Sequence, residues 1–186
     1  TSLGGSDVFV SKLDNSGNFL WAKQFGGTNN DFGYGLALDA SGNVYTTGAF
    51  DNTVDFDPGA AVFNLTSTGS TDVFVSKMDA SGGFLWARNM GSTLGDFGLC
   101  IALDGSANVY TSGYFQGTGD FDPGASTSTL SSVNARDIFI SKLSSSGNFI
   151  YAKQISGGGD QAVNSMTVDP FSNLYLTGSF QSVTDF

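Results

Sequence analysis

Asp55 and Asp57 stand two residues apart in Asp-Phe-Asp-Pro-Gly, and Asp120 and Asp122 repeat the arrangement. Two carboxylates at i and i+2 of a turn can converge on a hard cation, and calcium accepts oxygen ligands in flexible geometry. The same residues can instead cap their own turn ahead of Pro-Gly. The loop lacks the run of acidic and glycine positions that makes an EF-hand specific. Calcium held by Asp55, Asp57, Asp120 and Asp122 is therefore one expectation, and a self-capped turn is the other. Asp31 and Asp96 form a second acidic position, each followed by Phe-Gly. They read either as a loop facing an ion or ligand or as ordinary loop residues. Trp21, Trp86 and Tyr151 are a third set, suited to stacking on a carbohydrate or to packing between outer strands.

Other chemistry is excluded by composition. There is no His, so a Ser-His-Asp triad, a His proton shuttle and His metal ligands are all ruled out. Paired carboxylates could still hydrolyse a glycoside, but acidic residues recurring at a fixed spacing are what a structural role predicts. Cys100 is the only cysteine, so no intramolecular disulfide can form. With no basic neighbour in sequence, it reads as a small strand residue rather than a reactive thiol. The net charge is -10, and the seven basic residues form no cluster, which argues against nucleic-acid binding. No apolar run approaches the ~20 residues of a membrane helix. The opening Thr-Ser-Leu-Gly-Gly has neither a charged nor an apolar region, so these residues are not expected to act as a signal peptide.

The elements that position these residues are set by an internal repeat. Asp7-Val-Phe-Val-Ser-Lys12 recurs at Asp72–Lys77 and, as Asp-Ile-Phe-Ile-Ser-Lys, at Asp137–Lys142. Leu20-Trp-Ala-Lys23, Val44-Tyr-Thr-Thr-Gly48 and Asp55-Phe-Asp-Pro-Gly59 recur at the same offset of 65, and Asp185-Phe186 opens a third copy of the last motif. From Asp7 and Asp72 onward, 34 of 53 aligned positions are identical. Self-similarity at a fixed period is the signature of repeat architectures. In this phase Gln161 aligns with Asp31 and Asp96, with Asp160 one place earlier. Lys12, Lys77, Lys142, Lys23, Arg88 and Lys153 also keep the repeat phase, as do Asp7, Asp72 and Asp137. Ion pairs within or between repeats follow as the expectation for these charges.

All 17 acidic residues are Asp, and 26 residues are Gly. Asp and Gly favour turns, whereas the absent Glu favours helices, so the chain reads as all-β. Each unit contains two hairpins. Val8 to Leu13 and Phe19 to Phe25 are joined by Asp14–Asn18, and Tyr34 to Leu38 and Val44 to Phe50 by Asp39–Asn43. The segment Asp51 to Thr71 is a linker with a short edge strand around Val62–Leu65. Val8-Phe9-Val10 and Phe19-Leu20-Trp21-Ala22 are apolar on both faces, which fits sheets covered on both sides by neighbouring sheets. Four antiparallel strands per unit match a β-propeller blade.

The pattern Asp-Val-Phe-Val-Ser-Lys-Leu-Asp, Ser-Gly-Asn-Phe-Leu-Trp-Ala-Lys and Gly-Leu-Ala-Leu-Asp-Ala-Ser-Gly-Asn-Val-Tyr-Thr-Thr-Gly resembles the bacterial SBBP β-propeller repeat, with an NHL-like blade pattern. The resemblance implies that Tyr34 to Leu38 is the innermost strand of a blade and Phe19 to Phe25 the outermost. It divides one repeat array, 1–186, into a half blade 1–30, blades 31–95 and 96–160, and a half blade 161–186. Three blade equivalents fall below the usual minimum of about four for a ring, so an incomplete ring in one chain is expected.

The resemblance further implies a non-enzymatic structural or assembly module of a secreted or cell-surface bacterial protein, in a filament, adhesin or surface array. The alternative is a propeller that binds a glycan or a protein. The partners expected are copies of the chain itself or further blades of a longer chain, without nucleic acid and without membrane insertion.

Overall fold

Strand formation follows the repeat. The computed structural model describes residues 1–133 and 135–186, and among them there are strands and turns but no helix. The strands are β1 (Val8–Leu13), β2 (Phe19–Phe25), β3 (Phe32–Leu38), β4 (Val44–Asp55), β5 (Asn64–Met78), β6 (Phe84–Ser92), β7 (Phe97–Leu103), β8 (Val109–Phe115), β9 (Thr118–Asp120), β10 (Thr129–Ser131), β11 (Asp137–Leu143), β12 (Phe149–Gly157), β13 (Gln161–Val168), β14 (Leu174–Phe180) and β15 (Thr184–Asp185). The expected hairpins are all present. β1 and β2 have the expected bounds, β3 begins two residues earlier at Phe32, and β4 runs on to Asp55. With no long apolar helix, no helix of the described residues crosses a membrane.

The strands form four antiparallel sheets. Sheet I is β1-β2, sheet II has the order β10-β9-β6-β5-β4-β3, sheet III is β15-β12-β11-β8-β7, and sheet IV is β13-β14. No sheet closes on itself. The edge strands β3, β7 and β13 pack against one another in series, as innermost strands of adjacent sheets would.

The turns are built as the sequence requires. In the β1–β2 turn, Oδ1 of Asp14 accepts the amides of Ser16 and Asn18, each at 2.8 Å, and Oδ2 accepts Asn18 Nδ2 at 2.9 Å. Asp39 and Asp104 repeat these bonds. These turn bonds favour the carboxylate and hold the pKa of Asp14 below the ordinary aspartate value. The turns also need one residue in the left-handed region. Gly17, Gly42, Gly82 and Gly147 supply it, while Ala107 (φ 58°) and Ser172 (φ 65°) occupy the same repeat position without glycine's freedom.

Two apolar clusters lie between sheets. The first joins Val8, Val10 and Phe25 of sheet I to Phe50, Phe56 and Phe74 of sheet II. The second joins Val73, Val75 and Met90 of sheet II to Phe115, Phe121 and Phe139 of sheet III. Val73, Phe74 and Val75 are all buried, so successive residues on both faces of β5 meet protein. This is the physical basis of the non-alternating apolar pattern.

The linker is more than a connection with an edge strand. Thr53, Val54 and Asp55 pair with Thr66, Leu65 and Asn64, and Thr118, Gly119 and Asp120 pair with Ser131, Leu130 and Thr129. Each linker is thus a hairpin arm that continues the two central strands outward. Each arm then reaches back to the preceding sheet: Gly26 pairs with Asp55, Gly91 with Asp120, and Ser156 with Asp185. The three pairings stand 65 residues apart. The length that each unit carries beyond four short strands is therefore a clasp between sheets.

Candidate functional site

The clasp gathers most of the residues singled out by their chemistry. At its tip, Asp55 Oδ1 accepts the amides of Asp57 (3.0 Å) and Phe63 (2.8 Å), and Asp57 Oδ1 accepts that of Gly59 (2.7 Å). Asp120 and Asp122 make the same three bonds to Asp122, Ser128 and Gly124. These are the self-capped turns, and each uses the carboxylates to hold the arm's shape. Among the described residues no group of three or more His, Cys, Asp or Glu is placed to hold a metal ion.

Behind the tip, Phe56 and Phe121 fill the space between sheets. Phe56 contacts Phe25 of sheet I as well as Phe50 and Phe74 of sheet II, with ring centroids 5.2, 5.3 and 5.2 Å away. Phe121 likewise meets Phe115 edge-on and Phe139 at a tilt, each with centroids 5.1 Å away. Two polar grooves flank the second arm. One, of about 430 Å³, is lined by Thr68, Asn89, Ser92, Thr118, Asp122 and Thr129. The other, of about 470 Å³, is lined by Phe63, Arg88, Pro123, Asn148 and Phe149.

Asp31 and Asp96 are buried, contrary to an ordinary exposed loop position. Asp31 accepts the amides of Gly27 (2.7 Å) and Asp51 (3.2 Å). Asp96 accepts those of Ser92 and of Gln116, the latter at 3.1 Å, and so ties the end of β6 in sheet II to the end of β8 in sheet III. Asp72, also fully buried, shares this place. A Cβ added to Gly91 would lie 2.8 Å from Asp96 Oδ2 and 2.9 Å from Asp72 Oδ1, so both carboxylates lean on one α-carbon. Asp72 Oδ2 accepts the Thr68 amide at 2.8 Å, while its Oδ1 has no hydrogen-bond partner. Burial, with the charge of Asp72 adding to it, pushes the Asp96 carboxyl up to about 6, and burial raises Asp72 as well.

Two of the periodic lysines, Lys77 and Lys142, form ion pairs, but not with Asp7, Asp72 and Asp137. Lys77 lies 3.8 Å from Asp39 and over the Tyr45 ring, and Lys142 lies 3.3 Å from Asp104 and over Tyr110. Asp72 and Asp137 are instead buried and bonded to loop amides, and the half-buried Asp7 accepts the Leu3 amide. Lys12 and Lys77 also donate to the turn of the following sheet, at Ala80 O (3.1 Å) and Ser145 O (3.3 Å).

Trp21, Trp86 and Tyr151 are not brought together; each belongs to a different sheet. Trp86 is buried, donates from Nε1 to Ser145 O at 3.2 Å, and packs on the turn at Gly147. Trp21 packs on the turn at Gly82 without such a bond among the described residues, and Tyr151 is half-buried. Cys100 is a partly buried strand residue, its thiol shifted upward by burial.

One grouping escaped the sequence reading. Phe32 and Tyr34 of β3 stack at 6.0 Å, Tyr34 approaches Phe97 of β7 at 6.4 Å, and Phe97 stacks on Tyr114 of β8 at 4.9 Å under the Arg136 guanidinium. Tyr34, Tyr114 and Arg136 depart from the repeat, where Leu99, Ala49 and Thr71 occupy the equivalent positions. That departure is the signal that could have revealed them.

The chain is similar in sequence to two longer proteins. The chain is 29% identical, over 191 aligned residues and 89% of its length, to a WD repeat-containing protein of Acanthamoeba polyphaga mimivirus. It is 30% identical, over 110 residues and 59% of its length, to the regulatory protein FlaEY of Caulobacter vibrioides. It spans only 14% and 12% of those relatives. The model of the family described as SBBP, beta-propeller repeat, matches two segments that lie two repeat lengths apart and cover β2–β4 and β12–β14. The chain thus carries the SBBP β-propeller repeat at residues 20–49 and 150–179.

Proposed function

We propose that the chain is a non-enzymatic segment of a β-propeller repeat array, serving as a structural or assembly module of a secreted or cell-surface bacterial protein. On this reading sheets II and III are blades, and sheets I and IV are halves of blades. The observation that carries it is the clasp, made at Gly26–Asp55, Gly91–Asp120 and Ser156–Asp185 with one geometry. Side chains with chemical capacity serve it or its turns: Asp55 and Asp120 cap the arms, Asp96 ties two sheets, and the lysines bridge turns. A repeated side chain engaged with backbone amides is not available to substrate.

Glycoside hydrolase assays with the purified chain should give no turnover above buffer, and antibody labelling of intact producing cells should place the protein at the surface. Turnover that vanishes in an Asp72→Asn variant would replace the structural reading with an enzymatic one.

A second reading, a protein- or glycan-binding propeller, is favoured by the aromatic run Phe32–Tyr34–Phe97–Tyr114 because it breaks the repeat. Glycan-array screening at high protein concentration tests it; a signal lost on Tyr34→Ala would support it.

A further inference from the structure

The groove of about 470 Å³ beside the second arm is bounded by sheets II and III alone. Its frame repeats the junction between sheets I and II: Asp57-Pro-Gly59, Gly82 and Phe84 return as Asp122-Pro-Gly124, Gly147 and Phe149. Four positions within that frame do not repeat. Lys23, Gln24, Ala61 and Gly83 become Arg88, Asn89, Ser126 and Asn148, and all four replacements line the groove. Arginine brings a planar fork of donors, and Ser126 and Asn148 add polar groups where alanine and glycine have none.

These side chains are held ready. Asn18, Asn43, Asn108 and Asn173 each close a turn by donating Nδ2 to its first aspartate at 2.8–2.9 Å. In the β11–β12 turn Ser144 takes the aspartate's place, and its hydroxyl accepts the amides of Ser146 (3.3 Å) and Asn148 (3.1 Å). Among the described residues the Asn148 side chain is thereby released from the turn, and it is exposed in the groove. Arg88 is fixed beside it. Its Nε donates to Gly147 O at 3.0 Å and one terminal nitrogen to Ala87 O at 2.7 Å, with the guanidinium 5.7 Å from the Trp86 ring. The other terminal nitrogen has no partner among the described residues. Asp122 is set by the Gly124 amide.

We propose that this groove binds a neutral hexose unit of an oligosaccharide. Arg88 and Asp122 are the charged residues of its lining and are of opposite sign, which matches a ligand without net charge. Phe63 and Phe149 present ring surface to the apolar C–H face of a pyranose, and Arg88, Asn148 and Asp122 present donors and acceptors to its hydroxyls. A mixed lining of this kind, with few polar groups fixed in advance, is how small-ligand sites gain orientation. The proposal deepens the glycan-binding alternative and rests on it, and it places the ligand beside the arm rather than on the run from Phe32 to Tyr114.

The test is an array of neutral hexose oligosaccharides with uronate-containing ones alongside, screened with the purified chain, each hit then titrated by calorimetry. Neutral glycans should bind. Arg88→Lys and Asn148→Gly install residues that the same positions carry elsewhere in the repeat, so both variants should keep the parent's melting curve. Each should weaken binding about tenfold, as the loss of one hydrogen bond to ligand does, and the double variant should give no signal. Tyr34→Ala should leave the affinity unchanged.

Binding that is unchanged in both groove variants, or confined to uronate glycans, would overturn the proposal. If that binding were lost on Tyr34→Ala, the glycan-binding alternative would stand at the aromatic run. No binding to any glycan would end both. None of these results would touch the array reading, which stands on the clasps.

Discussion

The junction between sheets II and III and the junction between sheets III and IV use the same backbone and different side chains. At the first, Gly91 is flanked by Asp72 and Asp96, two buried carboxylates. At the second, the glycine is Gly157 and the pair is Asp137 and Gln161, with the Gln161 amide nitrogen 2.7 Å from where a Cβ on Gly157 would lie. The clasp phenylalanine differs as well: Phe121 is fully buried between sheets, while Phe186 is 81% exposed and meets only the edge of Phe180. The buried pair therefore tolerates one carboxylate or two. Geometry is common to all junctions, whereas packing and charge are particular to each.

The largest effect should come from the phenylalanine. Phe121→Ala removes a ring packed on Phe115 and Phe139 and leaves a cavity, at a cost of about 3–5 kcal/mol. Phe186→Ala removes exposed surface and should change stability by no more than about 0.5 kcal/mol. Urea denaturation of both variants measures the difference. Equal losses would mean that Phe186 is buried in solution, by a surface that these residues do not supply.

The carboxylate pair comes next. The Asp96 carboxyl is near 6 in the folded chain and 3.8 without the fold, so the folded state binds the extra proton. That contribution is fully present below pH 3.8 and is lost as pH rises through 6, a difference of up to about 3 kcal/mol. Asp72→Asn keeps an acceptor for the Thr68 amide, removes one charge and offers an N–H to Asp96 from the position where Oδ1 has no partner. The variant should match the parent near pH 4 and exceed it by about 1–3 kcal/mol at pH 7. Asp137→Asn, with Gln161 already neutral, should show a smaller rise with pH. Parallel curves for the two variants across that range would remove the carboxyl pair as the cause.

Much of this was legible in the sequence because the repeat prints it three times. The period located the two hairpins of each unit, and Asp at a turn's start with Gly at its end marked the connections, since those residues satisfy turn amides and the left-handed region by themselves. The apolar run at Val73–Val75 signalled sheets covered on both faces. What could not be read were relations across sheets. Asp51 to Thr71 read as a linker because its clasp partners lie in the preceding sheet. The lysines and Asp72 share a phase, but a strand's alternation sends them to different surroundings, so the real ion-pair partners, Asp39 and Asp104, were hidden in a turn. The Asp31 and Asp96 position is the loop it was read as, but its burial depends on the neighbouring sheet's end and could not be read.

A smaller effect should appear at the turns. Ala107 holds φ 58° in sheet III where Gly42 stands in sheet II, and Ser172 holds φ 65° in sheet IV. A side chain in the left-handed region costs about 1–2 kcal/mol, and glycine returns about 0.4–1 kcal/mol of that through unfolded-chain entropy. Ala107→Gly and Ser172→Gly should each stabilise by less than about 1 kcal/mol. A clear loss with Ser172→Gly alone would indicate a side-chain role at the turn whose carbonyl accepts Tyr110 Oη at 3.3 Å.

The smallest expected effect tests the arms themselves. If Asp55, Asp57, Asp120 and Asp122 serve as turn caps, their amide bonds are complete without an ion. Thermal melting in millimolar calcium and in chelator should then give coincident curves. A metal that bound only the folded chain would raise stability by mass action, roughly 2.7 kcal/mol at a hundredfold excess over its dissociation constant, a shift well outside measurement error. A rise in calcium that disappears in a variant carrying Asp57→Asn and Asp122→Asn would reassign the arm tips as a cation site. Those two residues are the ones to change because each accepts a single amide, Gly59 or Gly124, whereas Asp55 and Asp120 each accept two on Oδ1 and do more to hold the arm. The arms in sheets II and III would bind alike.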